Sequence, residues 1–190
     1  MTDNKKIVIP DGRYAVIFDT PYLYHATKKQ SPDLRIDYTK IMVNLDEEWG
    51  IRPIKAIAVV SDTRNGDEEN PGFDGFLGVL RWAGIEPCVS KARQSYRTDD
   101  GGGRYDAPKN DCNMSLAIEA MAIAERVDNI VLGTGNGDFI PLVKKLSQLG
   151  RNIIVLSYLD TTSKDMLKLS TAHIEIDDYA MASKKEAFER

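Results

Sequence analysis

Short apolar runs alternate along the chain with longer segments in which apolar residues recur every three or four positions. The runs predict strands, and the longer segments predict amphipathic helices. The predicted strands are 14–18, 55–60, 85–89, 129–133, 152–158 and 173–176, and the predicted helices are 36–49, 73–82, 112–126, 139–149 and 163–170. Pro87 would be out of place in the middle of a sheet, because proline cannot donate to the ladder. The alternation predicts one α/β domain, a three-layer parallel sheet with helices on both faces.

The segment 90–110, SKARQSYRTDDGGGRYDAPKN, interrupts this alternation and predicts a long mobile loop. Its cations are candidates for binding a single strand of RNA, since phosphates pair with cations and bases stack on aromatic rings such as Tyr96 and Tyr105. These cations are Lys91, Arg93, Arg97, Arg104 and Lys109. A solvated flexible loop is the alternative, because three aspartates dilute the positive charge. The last residues, 182–190, predict a solvated tail or a terminal helix.

Composition narrows the class of protein. A chain of 190 residues with 42% hydrophobic and 28% charged residues fits one soluble globular domain. The net charge of −4 argues against a broad basic surface for duplex binding, but it leaves room for a local basic patch or an acidic metal cleft. No apolar stretch is long enough to span a membrane, and no signal peptide is evident. Two cysteines and two histidines do not form a zinc pattern, so we expect a reducing cytoplasm.

Polar residues follow several predicted strands at the edge where open parallel sheets bind ligands. Asp19 ends the first strand, the fourth strand leads into Thr134-Gly135-Asn136-Gly137-Asp138, and the long helix begins near Asp111 and Asn113. Carboxylates at neighbouring strand ends repel each other unless a cation lies between them. Mg²⁺ accepts few carboxylates plus waters, so this set of residues predicts a cation site.

Ordinary structural roles remain open for the same residues. Asp19 and Asn113 could cap helices, Asp138 could cap a helix that starts at Phe139, and Glu119 could be an ordinary exposed residue. Other site classes find no support: the GTGNG segment lacks the ending of a P-loop, and no nucleophile elbow or zinc-protease motif is present. The glycines beside Asn136 predict a tight turn that a phosphate or metal can approach.

The order of four blocks resembles the NYN domain family, specifically the LabA-like branch of the PIN-like ribonuclease superfamily. YAVIFDTPYLY (14–24) is similar to the family's first strand, and KNDCNMSLAIEAM (109–121) to its helix start. IVLGTGNGDFIPLVKKLSQLGRNIIVL (130–156) resembles its Ser-Gly-Asp-Gly-Asp-Phe-x-Pro-Leu-Val motif, and TSKDMLKLSTAHIEID (162–177) its final helix and strand. The resemblance implies a single NYN/PIN-like domain over 1–190, with a Rossmann-like core at about 13–180.

The resemblance also implies a site and an activity, namely metal-dependent cleavage of RNA by an acidic cluster. Asp19, Asn113, Asn136 and Asp138 match the family's four catalytic positions, and Glu119 matches a later helix acid. Among them, Asp19, Asn136 and Asp138 are the expected ligands of Mg²⁺ or Mn²⁺. The chain departs from the family at Asn113 and Asn136, which are amides in place of carboxylates, and at Tyr22, which replaces an Asn. Asp111 is close enough in sequence to substitute for Asn113.

Three functions stay open at this point. The first is a metal-dependent ribonuclease weakened by the two amides, which acts on single-stranded RNA with one bound metal ion at most. The second is a catalytically inactive RNA- or nucleotide-binding relative, and the third is an interaction protein that keeps only the fold. A homodimer is a further expectation that no particular residue supports.

Overall fold

The apolar runs form the strands of a parallel sheet. The computed structural model describes residues 10–62, 70–91, 93–98, 104–109 and 111–179. Its strands are β1 Tyr14–Asp19, β2 Lys55–Asp62, β3 Glu86–Lys91, β4 Arg93–Thr98, β5 Arg104–Lys109, β6 Asn129–Gly133, β7 Asn152–Ser157 and β8 Ala172–Glu175. Six of them form one sheet in the order β3-β2-β1-β6-β7-β8, with every neighbouring pair parallel. The six predicted strands are therefore confirmed.

Helices cover both faces of this sheet. They are α1 Thr20–Gln30, α2 Tyr38–Trp49, α3 Pro71–Trp82, α4 Cys112–Ala124, α5 Ile140–Gln148, α6 Lys164–Leu169 and α7 Ile176–Tyr179. Helices α1, α2 and α3 pack on one face in a core that contains Phe18, and α4, α5 and α6 pack on the other in a core that contains Ile17. Successive residues of the fully buried β1 thus serve opposite cores, as a central parallel strand requires. The predicted three-layer Rossmann-like fold is confirmed.

Helix α1 was not predicted from the periodicity. Its sequence, TPYLYHATKKQ, buries few large apolar side chains, so it lacks a strong apolar stripe. The signal that could have found it lies at its start. Asp19 caps the helix by accepting a hydrogen bond from the Tyr22 N–H at 3.1 Å, and Pro21 lies in its first turn. An aspartate at the N-cap with a proline in the first turn is typical of a helix N-terminus.

The predicted long mobile loop at 90–110 is wrong for the part that the structure describes. β4 and β5 pair antiparallel, with Arg93 opposite Lys109 and Thr98 opposite Arg104. Two six-residue segments joined through glycines can form a hairpin, and the low apolar content concealed that pattern. The glycines at 101–103 lie outside the described residues, as does the predicted tail at 182–190.

Pro87 is compatible with its strand because of the strand's position. β3 pairs only with β2 in the six-stranded sheet, so it is an edge strand. An edge strand tolerates proline, since one side of its backbone needs no ladder partner. None of the helices described in the structure has the length and apolar character that crossing a bilayer requires.

Candidate functional site

The order of the strands fixes where a ligand can bind. The chain moves outward from β1 through β2 to β3, and then returns to the other side of β1 to form β6, β7 and β8. The connections on the two sides of this point lie on opposite faces of the sheet, so a crevice opens beyond the carboxyl ends of β1 and β6. Asp19 is the last residue of β1, and Thr134 directly follows β6.

Asp19 is joined to the end of β6 by a hydrogen bond. Thr134 Oγ1 donates to Asp19 Oδ2 at 3.0 Å, while Asp19 Oδ1 accepts the Tyr22 N–H that caps α1. Only 3% of Asp19 is exposed, and this burial raises the pKa of its carboxyl group, against the lowering effect of both hydrogen bonds. The helix-cap interpretation of Asp19 is thus confirmed, and the same carboxylate lies at the crevice.

Thr134 is a site residue that the sequence interpretation did not single out. It is buried, and its hydroxyl oxygen also accepts the Asn136 N–H at 3.2 Å. One side chain therefore fixes both the Asp19 carboxylate and the start of the turn after β6. The available signal was a hydroxyl residue placed directly after a buried strand, at the edge where parallel sheets bind ligands.

Two amides, 23 residues apart in the chain, meet at Asp138. Asn113 Nδ2 and Asn136 Nδ2 each lie 3.4 Å from Asp138 Oδ2, and the Asp138 N–H donates to Asn136 Oδ1 at 3.0 Å. The backbone bond orients the Asn136 amide, since its oxygen must face the N–H and its nitrogen then faces the carboxylate. The two amide contacts are long and weak, but together they present N–H donors to an exposed carboxylate.

The helix-cap interpretations of Asp138 and Asn113 are wrong. A short 3-10 turn, Gly137–Phe139, precedes α5, and Asn136 is its capping residue. The residue that precedes α5 is Phe139, so Asp138 does not cap that helix. Asn113 lies inside α4, one residue after its start, and its amide reaches Asp138 instead of capping the helix.

Neither of the two additional acids, Asp111 and Glu119, contacts this cluster in the described structure. Asp111 is exposed at the N-cap position of α4, where its side chain makes no capping hydrogen bond. Glu119 Oε2 lies 3.9 Å from Lys55 Nζ. Lys55 is the first residue of β2, so it lies at the amino ends of the strands, whereas Asp19 lies at the carboxyl ends. Glu119 also lies six residues beyond Asn113 on α4, about 9 Å along the helix axis. The structure therefore does not bring Glu119 to Asp138.

Gly135 is required by packing against the chain itself. A Cβ at this position would lie 2.6 Å from Thr162 Oγ1 and 2.8 Å from Thr162 Cα, and the Tyr22 hydroxyl also occupies that space. The Tyr22 hydroxyl lies 2.9 Å from the Thr161 carbonyl oxygen, to which it donates, and the Ser163 N–H donates to the Gly135 carbonyl. The backbone of Gly135 does not have a positive φ. Close contact with the turn after β7, and not a special turn conformation, explains this glycine.

The donor set fits one hard cation better than two. Asp19 and Asp138 supply two carboxylates, and Mg²⁺ is commonly held by one or two carboxylates with waters. The buried Asp19 carboxylate would also gain from a cation that offsets its desolvation. Within the described residues, no group of three or more His, Cys, Asp and Glu side chains is arranged to hold a metal. A cage of four acids is therefore not present in that part of the chain.

The five predicted RNA-binding cations lie on β3 and the hairpin. Lys91 is exposed at the end of β3, opposite Asp62 in the strand register. Arg93, Arg97, Arg104 and Lys109 lie within β4 and β5, where the backbone pairs Arg97 with Tyr105. Their binding of RNA stays a prediction.

Comparisons with known proteins agree with this fold. The crystal structure of a protein of unknown function from Vibrio parahaemolyticus matches with a TM-score of 0.72 and 22% identity, covering 89% of this chain and 96% of that one. At this identity the likeness shows the fold alone. A comparison with curated proteins gave no significant match. The NYN domain model matches residues 13–177, which is most of the chain. The chain therefore belongs to the NYN domain family, within the PIN-like nuclease superfamily.

Proposed function

We propose that the chain is a metal-dependent ribonuclease of the LabA-like branch, which cleaves RNA phosphodiester bonds at the crevice formed by Asp19, Asn113, Asn136 and Asp138. The observation that carries this proposal is the Thr134–Asp19 hydrogen bond. It joins the end of β1 to the start of the turn that contains Asp138, which supports a site shared by the two remaining acids. Family membership supports the same class of chemistry.

Asp19, Asp138 and Asn136 are the residues proposed to hold the ion, Mg²⁺ or Mn²⁺. When bound, such an ion polarises a phosphoryl oxygen and lowers the pKa of a water. The chain itself contributes orientation: the Tyr22 N–H and the Thr134 hydroxyl fix the Asp19 carboxylate. Asp138 is exposed, so a water or an RNA strand can reach it, and the neighbouring amide N–H groups can donate to a phosphate oxygen.

The two amides are expected to weaken metal binding. Each replaces a unit of negative charge with a neutral group, and an attraction between unit charges 4 Å apart is worth about 4 kcal/mol at an effective dielectric constant near 20. We therefore expect one weakly held ion at most, and an activity that needs a high metal concentration.

A catalytically inactive RNA- or nucleotide-binding protein is the second candidate. The observation that favours it is the pair of amide contacts to Asp138 Oδ2, which stabilise this carboxylate without a cation. The proposed compartment is the cytoplasm under either function, because Cys88 and Cys112 are free thiols, as a reducing environment favours.

The deciding experiment incubates end-labelled single-stranded RNA with Mn²⁺, with Mg²⁺ or with EDTA. The proteins are the native chain, Asp138→Ala, the double variant Asn113→Asp/Asn136→Asp, and Asp165→Ala as a control for an exposed acid on α6. For a ribonuclease we expect metal-dependent cleavage that Asp138→Ala abolishes and the double variant increases by about tenfold or more, since charge strengthens metal binding. The control should cleave like the native chain.

Two outcomes contradict the ribonuclease. RNA binding without cleavage by the native chain, with cleavage only in the double variant, supports the inactive relative. Neither binding nor cleavage by any of the four proteins would leave a protein that keeps the fold for interactions. Size-exclusion chromatography with light scattering on the same samples tests the expected homodimer.

A further inference from the structure

A groove opens on the other side of Asp19 from the amide cluster. Its cavity volume is about 800 Å³, and Thr20, which follows Asp19 directly, is part of its lining. The groove lies between α1, the segment before α2, the end of β2 and the start of α3. Its floor is formed by buried residues such as Tyr38 and Val60. This volume is within the range of pockets that bind small organic ligands.

The groove lining is positively charged. Lys28 and Arg35 line it, and no aspartate or glutamate is among the described lining residues. This contrasts with the chain as a whole, which carries a net charge of −4. Lys28 Nζ donates to the carbonyl oxygens of Leu34, at 3.0 Å, and of Pro32, and within the described residues no carboxylate forms an ion pair with it. The charge of the lining therefore favours an anionic ligand.

Aromatic rings accompany these charges. Tyr24 is 59% exposed, its ring meets that of His25 edge to face at 5.5 Å, and Lys28 Nζ lies 5.8 Å from its centroid. Phe73 and Phe76, both half-buried, line the α3 side of the groove. An exposed tyrosine ring that a cation and a second ring hold in place is a ready platform for a flat ligand.

We propose that this groove binds a segment of single-stranded RNA next to the phosphodiester bond that is cleaved at Asp19. The groove is defined by Thr20, Tyr24, His25, Lys28, Arg35 and Phe73. Its cations contact the phosphates, and Tyr24 and Phe73 stack on bases. Cations together with aromatic rings in one open groove are the combination that binds single strands. A simple anion would not need the rings, and an apolar ligand would not need the charges. The inference rests on the proposed function, since it assigns a binding segment to the same substrate.

The test measures binding in EDTA, so that cleavage does not interfere. Fluorescence anisotropy with a labelled oligouridylate gives the Kd for the native chain, Tyr24→Ala and Arg35→Ala. Matched controls are Trp82→Ala, an aromatic residue 80% exposed on the same face but outside the groove, and Arg126→Ala, an exposed arginine after α4. All substituted residues are exposed, and equal melting temperatures will establish that each variant is folded.

Stacking on Tyr24 predicts that Tyr24→Ala raises the Kd by about 5- to 150-fold, which corresponds to about 1–3 kcal/mol per base. Arg35→Ala should raise the Kd and lower the slope of log K against log salt concentration by about 0.7, the value for one phosphate contact on a single strand. Both controls should stay within about twofold of the native Kd, as expected for surface residues away from the site.

The two experiments test the groove and the ribonuclease activity independently of each other. Unchanged Kd values for Tyr24→Ala and Arg35→Ala, or no binding by the native chain, overturn the groove whatever the cleavage assay gives. Binding that depends on Tyr24 and Arg35, in a native chain that never cleaves RNA, supports the groove and removes the ribonuclease.

Discussion

At the scale of single residues, the amide at 136 does what a carboxylate could do only in part. Its oxygen accepts the Asp138 N–H, and its nitrogen faces the Asp138 carboxylate. Aspartate at 136 could accept the same N–H, but its second oxygen would face Asp138 Oδ2. The same holds for Asn113, whose nitrogen also faces Asp138. The two neutral amides thus donate to the Asp138 carboxylate without a cation, whereas the carboxylates of an all-acid cluster would repel each other unless a cation lay between them.

The double variant Asn113→Asp/Asn136→Asp therefore has a predicted metal-dependent stability. In EDTA we expect it to be destabilised by about 1 kcal/mol, because carboxylates replace donors next to an exposed carboxylate. This corresponds to a melting temperature lower by about 2–4 °C. Mn²⁺ or Mg²⁺ should restore it, since ligands that bind only the folded state raise stability. Differential scanning fluorimetry measures both effects.

The matched control is Asn113→Ala/Asn136→Ala, which removes the donors without adding charge. It should not gain stability from the metal. Equal responses of the two double variants to Mn²⁺ would contradict the charge argument.

At the scale of the elements, the candidate site depends on the contact between two turns. The turn after β6 packs on the turn after β7 so closely that Gly135 leaves no room for a Cβ beside Thr162. The Ser163 N–H donates to the Gly135 carbonyl oxygen at 2.9 Å, and the Tyr22 hydroxyl from α1 completes the contact. The position of Asp138 thus depends on two elements outside its own turn, namely the turn after β7 and α1.

Gly135→Ala tests this packing. We expect a destabilisation of about 1–3 kcal/mol, as for other substitutions that overfill a packed region. RNA cleavage or binding should fall as well, because the turn that holds Asn136 and Asp138 must shift. Chemical denaturation measures the free energy of unfolding.

Gly75→Ala is the control, since a Cβ at Gly75 within α3 meets nothing within 4 Å. It should stabilise the protein by about 0.5–1 kcal/mol, because alanine is the better helix former. If Gly135→Ala were as stable as Gly75→Ala, the proposed contact between the turns would be wrong.

At the scale of the whole molecule, the amide cluster and the groove belong to opposite faces of the sheet. The amide cluster lies on the side of β6 and α4, and the basic groove lies on the side of α1 and α3.

The edge strand β8 of the same sheet contains a titratable group, His173. Its Nε2 lies 3.0 Å from Ser157 Oγ on β7. Burial lowers the pKa of His173 from its ordinary value of 6.5, although a hydrogen bond with the Ser157 backbone opposes this.

Global stability should therefore depend on pH through His173. A depressed pKa means that below pH 6.5 the unfolded chain binds a proton more readily than the folded chain does. The contribution of neutral His173 is present above pH 6.5 and is lost as the pH falls through the lower folded-state pKa. His173→Gln should lose less stability than the native chain between about pH 7.5 and about pH 5.5, the interval in which histidine titrates.

Thermal unfolding at several pH values measures this difference. A His173→Gln profile parallel to the native one would refute the assignment.

The sequence alone determined the strands, most helices and the edge of the sheet at which Asp19, Asn113, Asn136 and Asp138 lie, because periodicity and strand ends are local properties of the chain. It did not predict that Asn113 and Asn136 both contact Asp138, that Glu119 instead pairs with Lys55, or that residues near Tyr24 and Arg35 form a groove. Those facts were decided by tertiary structure, since contacts between distant segments depend on how strands order and helices pack. The sequence placed the polar groups at one edge, and the packing set which of them touch.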